Sequence, residues 1–393
     1  MMDKRQLRTW ADIDLDALAH NYRAIQAAVP EGCRVLGPVK ANAYGHGMIP
    51  VAQKLQQLGA SMLAVACVSE GEELRKMGIH IPILCLGHTP IELGEELLHW
   101  DITQTVDDYP TAKALSDLAQ RGGKKFKVHI KLDTGMGRLG FRWEDENNGA
   151  VLQDMVRVCH LPGLMVGGMF THFAAADGDE AYTMAQFTRF LSAKAALEQE
   201  KITLKIYHCG ASAAVLHYPC TCLDMVRPGL ALYGHYPDQN CSNSAVINLK
   251  PVMTLKSRIA TVRTMPKGAS VSYGCTAHLK RDTRLAVLPI GYGDGLPRNL
   301  SNQLEVLIQG KLCPVVGNIC MDMCMVDVTD LPEVKAGEVA TIYGPELTDR
   351  AAQLANTISY ELLCRIAPRV PRIYWENGVK VQKDFLLTAE SSM

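Results

Sequence analysis

Strand-like and helical segments alternate from about residue 15 to residue 236, and this alternation limits the possible folds more than any other feature of the chain. Alternation of this kind indicates parallel strands joined by helical crossovers. About eight units in this length favour a closed (β/α)8 barrel of the TIM type over an open doubly wound sheet. The Gly-x-Gly-x-x-Gly motif of a dinucleotide-binding sheet is missing after the first strand. The strand-like runs are 35–39, 62–67, 83–86, 102–106, 128–132, 164–170, 204–207 and 225–226.

The pattern changes after about residue 245. Strand-like runs at 252–264, 285–290, 304–308, 313–316, 323–328 and 338–342 are separated by Gly/Pro turns such as Pro266-Lys267-Gly268, with little helical signal. This part of the sequence predicts a mostly-β domain. We therefore expect a barrel over residues 12–240 and a mostly-β C-terminal domain that is formed by residues 1–11 and 241–393.

Composition excludes several classes of function. The chain has 393 residues, is 48% hydrophobic and 21% charged, and has a formal net charge of −1. It offers no concentrated basic patch for nucleic acid or an anionic membrane surface. The charged start is not followed by the apolar segment of a signal peptide, so we expect none. No apolar run approaches the roughly 20 residues of a membrane-spanning helix. The 13 cysteines contain no Cys-x-x-Cys pair, which favours reduced thiols in the cytoplasm and gives no support for a metal site.

A lysine ends the first apolar strand-like run. Burying a lysine here is costly unless it is paired or has a function, and a desolvated lysine amine can form a Schiff base with an aldehyde cofactor. The alternative is an ordinary surface lysine, which is the commoner case for an isolated residue. The ten residues around Lys40 resemble the pyridoxal-phosphate lysine motif of the alanine racemase family: Pro38-Val39-Lys40-Ala41-Asn42-Ala43-Tyr44-Gly45-His46-Gly47.

Later segments resemble the same family, in order and across nearly the whole chain. They are 129–140, 170–173, 208–214, 226–230, 270–276, 291–298, 317–322 and 358–363. A single motif of this kind is weak, but the ordered set is specific. The resemblance implies the same barrel-plus-β architecture, pyridoxal 5'-phosphate as the cofactor, and a homodimer in which each subunit contributes residues to the other's active site.

The resemblance also implies roles for the barrel residues. Lys40 would carry the cofactor and act as one catalytic base, and Arg227 would face the pyridine nitrogen without giving up its own proton. That arrangement makes the cofactor a weaker electron sink than pairing with a carboxylate would. Arg138 would hold the substrate carboxylate through two parallel hydrogen bonds, supported by Lys131, which is carbamylated in related racemases. The expected phosphate and cofactor contacts are Tyr44, His172, Ser212, Gly229, Leu230 and Tyr360.

Racemisation needs proton donors on both faces of a planar carbanion. The resemblance implies that Tyr273, from the other subunit, is the second base. A free tyrosine has a pKa near ~10 and needs positive charge or hydrogen bonds to lower it; we expect His172, in contact with Arg227, to tune it. Met321 would touch the substrate carboxylate across the dimer. Tyr292, Cys320 and Asp322 would line or support this region, while Ala211 and Asn318 depart from the residues that are frequent in the family.

These features predict an amino-acid racemase that interconverts L- and D-alanine by a two-base mechanism and supplies D-alanine for peptidoglycan. A serine racemase remains an alternative, because a small pocket rejects an added hydroxyl only weakly. A barrel-type amino-acid decarboxylase would pair the pyridine nitrogen with a carboxylate and carry a Gly-rich phosphate loop. A non-catalytic cofactor-binding protein would resemble the barrel alone.

Overall fold

The computed structural model describes residues 4–237 and 247–383. The predicted domain boundary at 240/241 lies outside these residues. The chain folds into two compact units. The barrel unit comprises Ala19–Ala43 and Val51–Leu249, and the β unit comprises Met1–Leu18, Tyr44–Pro50 and Lys250–Met393.

The barrel unit is built on parallel strands: β2 (Arg34–Pro38), β3 (Met62–Val65), β4 (Ile83–Cys85), β5 (Ile102–Val106), β6 (Phe126–Asp133), β8 (Leu164–Phe170), β9 (Ile206–His208) and β10 (Met225–Val226). Neighbours in the order β10-β2-β3-β4-β5-β6-β8-β9 pair in parallel, and the short β7 (Phe141–Arg142) adds to β6. A parallel bridge between Ala211 and Arg227 joins the segments that follow β9 and β10. Strands β3, β4 and β5 are buried along their whole length, as expected for parallel strands covered on both faces.

Helices separate most of these strands. They are α1 (Leu15–Ala28), α2 (Met48–Gln57), α3 (Val68–Lys76), α4 (Gly94–His99), α5 (Tyr109–Arg121), α6 (Gly149–Cys159), α7 (Glu180–Gln199) and α8 (Ser212–His217). The longest begins where the Asp179 carboxylate accepts the N–H of Tyr182 at 2.9 Å, an N-cap that satisfies one of the free amides of the first turn. This alternation confirms the predicted (β/α)8 barrel.

In the described residues, the β unit contains three sheets. The strands are β1 (Thr9–Asp14), β11 (Met253–Arg258), β12 (Thr261–Met265), β13 (Ser270–Val271), β14 (Ala277–His278), β15 (Thr283–Leu288), β16 (Glu305–Ile308), β17 (Lys311–Pro314), β18 (Cys324–Asp327), β19 (Val339–Tyr343), β20 (Arg372–Glu376) and β21 (Val379–Lys383). A seven-stranded sheet runs β17-β16-β19-β11-β1-β20-β21, a three-stranded sheet runs β12-β15-β18, and β13 pairs with β14. The helices α9 (Leu347–Leu354) and α10 (Ser359–Cys364) complete it. The predicted mostly-β C-terminal domain is therefore confirmed.

Several strands differ by a few residues from their predicted bounds, and in two of them the backbone hydrogen bonds show why. The run 252–264 is not one strand, because the chain leaves one sheet for another at residues 259 and 260. There the N–H of Ile259 bonds the carbonyl of Glu338, and the N–H of Ala260 bonds that of Val287. The strand predicted at 204–207 begins only at Ile206, since the N–H of Leu204 is taken by the Tyr207 hydroxyl at 3.1 Å.

Within residues 4–237 and 247–383, no helix is both long and apolar enough to cross a bilayer.

Candidate active site

The carboxyl ends of the barrel strands carry most of the predicted site residues of this unit. Lys40 follows β2, Lys131 lies near the end of β6, His172 follows β8, and Arg227 follows β10. Because all these strands are parallel, their carboxyl ends lie at one rim of the barrel. The fold therefore gathers these residues from distant parts of the sequence.

Four cations lie close enough to His172 at this rim to act on its charge. The pKa of His172 is lowered to about 3, first by burial and then by the charges of Arg227, Arg138, Lys131 and Lys40. The pKa of Lys131 is lowered to about 8 by burial, followed by the same neighbouring cations, and Asp107 partly offsets this. His172 is thus neutral near pH 7, and its surroundings are strongly positive. Such a site favours an anionic ligand.

Arg227 is held rigidly inside the barrel. Its Nη1 donates to Nδ1 of His208 at 2.9 Å and to the carbonyl of His208 at 2.8 Å. Its Nη2 donates to the carbonyls of Thr171 and Cys209 at 2.7 and 3.0 Å, and lies 3.4 Å from Nδ1 of His172. Burial lowers the pKa of Arg227 to about 10, so it stays protonated near pH 7. Its Nε–H donates to no residue that the structure describes, and it remains available for an acceptor.

The segment after Lys40 adopts an unusual backbone conformation. Residues 41–44 all have φ of +53°, and the first three have ψ between 45° and 52°. A left-handed turn of non-glycine residues costs about 1–2 kcal/mol per residue. The Glu70 carboxylate bridges this turn to the end of β3, because its Oε1 accepts the N–H of Ala41 at 2.6 Å and its Oε2 that of Ala66 at 2.7 Å.

The loop that carries Arg138 is organised by Asp133. Its Oδ1 accepts the N–H groups of Gly135 and Gly137, both at 3.0 Å, and Arg142 lies 3.2 Å from its Oδ2. Burial would raise the pKa of Asp133, but these donors hold it below its ordinary value. Gly137 has φ of +70°, a conformation that favours glycine. The result is a fixed turn that holds Arg138 exposed at the barrel rim.

Ser212 lies against the turn that contains Gly229 and Leu230. It begins α8, is buried, and its hydroxyl accepts the N–H of Ala231 at 3.1 Å. Ala211 precedes it at the N-cap and provides no side-chain cap. Three of the predicted phosphate contacts, Ser212, Gly229 and Leu230, are therefore adjacent in the barrel unit.

In the β unit, the segment 44–50 packs beside α10. The rings of Tyr44 and Tyr360 lie 5.9 Å apart, and burial, followed by the neighbouring Tyr360, raises the pKa of Tyr44. Buried Arg372 donates to the carbonyl of Gly45 at 2.9 Å. A Cβ on Gly45 would lie 2.0 Å from the carbonyl of Leu363, so only glycine fits at this contact.

Tyr273 is the most exposed of the large apolar and aromatic side chains in the described part of the chain, at 73%. Its carbonyl accepts a bond from the Nδ2 of Asn318 at 2.7 Å. The hydroxyl of Ser272 in turn donates to the carbonyl of Asn318 at 2.5 Å and lies 3.4 Å from Sγ of Cys320. Asn318 thus supports the backbone of Tyr273 directly.

In the same unit as Tyr273, backbone hydrogen bonds join the segment at Tyr292 to the segment at Cys320 and Met321. The N–H of Tyr292 donates to the carbonyl of Cys320 at 3.0 Å, and the N–H of Gly293 to that of Met321 at 2.8 Å. Arg369 links the buried Asp294 to Asp322, with contacts of 2.8 and 2.6 Å. Tyr292 and Met321 are 45% and 54% exposed, so both side chains lie at the surface of this unit.

Sequence reasoning missed two buried histidines. Nδ1 of His129 lies 2.9 Å from Nε2 of His208, and both imidazoles lie inside the barrel. The signal that could have found them is the Gly167-Gly168 pair in β8. A Cβ on Gly168 would lie 2.9 Å from Cε1 of His129 and 2.6 Å from the carbonyl of Ile206, and glycine inside a strand often marks such a close approach. Glu70, which braces the turn after Lys40, had no comparable sequence signal.

No cluster of side chains suited to a metal ion occurs in the described ranges.

The predicted site residues are divided between the two units. The barrel unit holds Lys40, Lys131, Arg138, His172, Ser212, Arg227, Gly229 and Leu230, and the β unit holds Tyr44, Tyr273, Tyr292, Cys320, Met321, Asp322 and Tyr360.

Known proteins resemble the chain over nearly its whole length. Two family models match it, "Alanine racemase, N-terminal domain" over residues 13–237 and "Alanine racemase, C-terminal domain" over residues 252–374. The alanine racemase of Desulforamulus reducens is 44% identical over 369 residues, covering 93% of this chain and 98% of that protein. That of Clostridium perfringens strain SM101 is 44% identical over 381 residues, covering 95% and 97%.

Solved structures agree with these matches. The alanine racemase of Clostridium difficile 630 has a TM-score of 0.91 at 38% identity, covering 97% of this chain and 99% of that chain. The alanine racemase of Bacillus anthracis with bound L-Ala-P has a TM-score of 0.89 at 33% identity, covering 97% and 98%. Both domain models, the curated relatives and the solved structures confirm the resemblance seen in the sequence, and the chain therefore belongs to the alanine racemase family of enzymes.

Proposed function

We propose that this protein interconverts L- and D-alanine with pyridoxal 5'-phosphate as its cofactor. The observation that carries the proposal is the group of cations at the barrel rim, Lys40, Arg138 and Arg227, around a neutral His172 and beside Lys131. A cofactor phosphate and a substrate carboxylate are the anions that such a site would bind. When bound, the cofactor supplies an aldehyde for the amines of Lys40 and of the substrate, and it withdraws electrons from the substrate Cα.

The residues present fit this cofactor. The Nε–H of Arg227, which donates to no described residue, suits a pyridine nitrogen, and the Nη atoms are fixed by carbonyls and His208. Because its pKa stays near 10 after burial, Arg227 donates a hydrogen bond without transferring the proton. Ser212 and the backbone amides of Gly229 and Leu230 suit the phosphate, and in our proposal Tyr44 and Tyr360 complete its binding.

Two groups move protons in this proposal. The Nζ of Lys40 takes or returns the α-proton on one face of the substrate, and the phenol of Tyr273 does so on the other face. Tyr273 acts in the active site of a partner subunit, because its 73% exposure leaves it available to a second copy of the chain. His172, neutral and held by Arg227, would bond the phenol and set its orientation.

A homodimer is supported by the apolar surface near Tyr273. Tyr273, Tyr292, Met321 and Met323 are all at least 45% exposed, and clustered exposed apolar side chains are typical of an interaction surface. We propose that Met321 reaches the partner's substrate carboxylate. Cys320 and Asp322 would support that loop, since Asp322 is bonded by Arg369.

Lys131 is proposed to be carbamylated. Its lowered pKa of about 8 makes the neutral fraction near neutral pH far larger than that of an ordinary lysine, and the neutral amine is the form that reacts with carbon dioxide. The positive charge of Arg138 opposes that of Lys131. Conversion of Lys131 to an anion would replace this repulsion by an attraction and hold Arg138 towards the substrate.

Arg227 argues against a decarboxylase, because such an enzyme would place a carboxylate at the pyridine nitrogen. Serine is a second candidate substrate, and Tyr360, packed on Tyr44, is the residue proposed to narrow the side-chain pocket in favour of alanine. D-Alanine supply for peptidoglycan in the cytoplasm follows from the family and is part of the proposal.

The test is loss of optical rotation of L-alanine and of L-serine, followed side by side by circular dichroism with and without added cofactor. We expect cofactor-dependent racemisation of alanine from both directions and slower turnover of serine. Lys40→Ala should abolish the reaction, whereas Lys125→Gln, an exposed lysine outside the site, should not change it. Carbon dioxide release, or rotation loss that survives Lys40→Ala, would reject the proposal.

A further inference from the structure

A cavity of about 400 Å³ opens at the amino ends of the barrel strands, at the opposite end from Lys40. Its floor is largely apolar, formed by Met62, Val128, Val166 and Ile206 from four parallel strands. Pockets of this size that are lined mainly by apolar side chains and carry a few polar groups are typical of small-molecule sites. The amino-terminal end of such barrels ordinarily serves stability rather than chemistry, so the cavity is separate from the active site.

The rim of this cavity is positive. Arg34, Arg75, Lys127 and Lys205 line it together with a single carboxylate, Asp101. Lys127 pairs with Asp101, with 2.7 Å between Nζ and Oδ2. Neither Arg34 nor Lys205 forms an ion pair with any residue in the described part of the chain. The rim therefore keeps an uncompensated positive charge.

A buried imidazole presents a donor to the same cavity. Arg227 can only donate, so Nδ1 of His208 accepts its Nη1–H. Burial, followed by the charge of Arg227, lowers the pKa of His208 well below its usual value, so the neutral ring carries its proton on Nε2. The Nε2–H of His208 donates a hydrogen bond to Nδ1 of His129, 2.9 Å away.

The remaining proton of His129 is therefore on Nε2. This ring is also neutral, because burial and then the charges of Arg227 and Arg34 lower its pKa to about 4. His129 is only 2% exposed and lines the cavity, and its Nε2 lies 3.4 Å from where a Cβ on Gly167, another lining residue, would stand. None of the residues in the described ranges accepts this N–H.

We propose that this cavity binds a small amphiphilic carboxylate. Its apolar part lies on the floor of the cavity, its carboxylate accepts the Nε2–H of His129, and Arg34 and Lys205 attract its charge. The site takes its ligand from the far end of the barrel, and the chain of hydrogen bonds from His129 through His208 ends on Arg227. Binding itself does not depend on the proposed racemase activity.

The test uses 4-(4-fluorophenyl)butanoate as the probe and the cofactor-loaded enzyme, with binding followed by 19F NMR and titration calorimetry. The matching amide, which lacks the charge, should bind at least about tenfold more weakly. Inorganic phosphate, which lacks the apolar part, should also bind more weakly. The 15N signals of the two imidazoles should shift on addition of the carboxylate but not of the amide.

Variants locate the site. Gly167→Val adds a side chain in front of Nε2 of His129 and should abolish binding, and Gly167→Ala, a smaller change, should weaken it. Lys205→Gln should weaken binding severalfold, while Lys125→Gln, which lies outside the cavity, should leave it unchanged. Circular dichroism spectra establish that each variant is folded.

Three results would overturn the inference. The first is equal binding of the carboxylate and the amide. The second is unchanged binding by folded Gly167→Ala and Lys205→Gln. The third is displacement of the probe by L-alanine, which would assign it to the active site. Retention of the probe in saturating L-alanine, with loss in the cavity variants, supports the site even if the racemase proposal fails.

Discussion

The left-handed turn after Lys40 predicts an unusual response to glycine. Ala41 has φ of +53° and is exposed, so Ala41→Gly removes backbone strain and little buried area. The relief is about 1–2 kcal/mol, and the greater freedom of glycine in the unfolded chain opposes it by about 0.4–1 kcal/mol. We therefore expect Ala41→Gly to leave stability unchanged or to raise it by up to about 1.5 kcal/mol.

The matched control is Ala195→Gly, which makes the same chemical change at an exposed position inside α7. There the right-handed helix gives no strain to relieve, and the substitution should cost about 1 kcal/mol. Urea unfolding of both variants, compared at equal slope, measures the difference. If Ala41→Gly destabilises the protein as much as Ala195→Gly does, the strain argument for this turn is wrong.

Further substitutions test other contacts. Glu70→Ala leaves two backbone N–H groups without their acceptor and should lower the free energy of unfolding by about 1–3 kcal/mol, whereas Glu72→Ala, which removes only an exposed i,i+4 ion pair with a lysine, should cost less than about 0.5 kcal/mol; equal urea midpoints would contradict this. Asp294→Ala removes the buried carboxylate that two arginines share and that accepts the N–H of Gly291. Because the arginine side chains are 40% and 39% exposed and stay hydrated, the loss should be about 1–3 kcal/mol in thermal or urea unfolding; a loss below about 0.5 kcal/mol would show that the cluster contributes little. For Lys131, burial lowers the pKa from 10.5 to about 8 in the folded protein. Between these two pH values the unfolded chain binds more protons than the folded protein does, so the free energy of unfolding should rise with pH through this window. Unfolding of the apoenzyme in bicarbonate-free buffer should show this slope, and Lys131→Met should remove it.

Much of the barrel was predictable because each buried parallel strand leaves a local trace. The run 164–170 is apolar along its length, and 102–106 begins and ends with a β-branched apolar residue; both appear as strands at those positions. A polar or charged residue directly after such a run, as with Lys40 and Arg227, could be assigned to the carboxyl rim on topology alone. The grouping of four cations there follows from that topology.

Other features depend on contacts between distant segments and have no local signal. Strand β1 pairs with β11 and β20 from the far end of the sequence, and no pattern near Thr9–Asp14 indicates those partners. The left-handed turn at 41–44 contains no glycine, and Glu70, which braces it, comes from another helix. The donor direction of His129 becomes clear only when Arg227 and His208 are seen to fix each proton in turn.

The central claim is that Lys40 and Tyr273 act on opposite faces of the substrate, and α-proton exchange in D2O tests it most directly. With Tyr273→Phe, proton NMR should show that one alanine enantiomer still exchanges its α-proton for deuterium while keeping its configuration, and racemisation should fall by at least about 100-fold. Interconversion of both enantiomers at the wild-type rate in Tyr273→Phe would contradict the account.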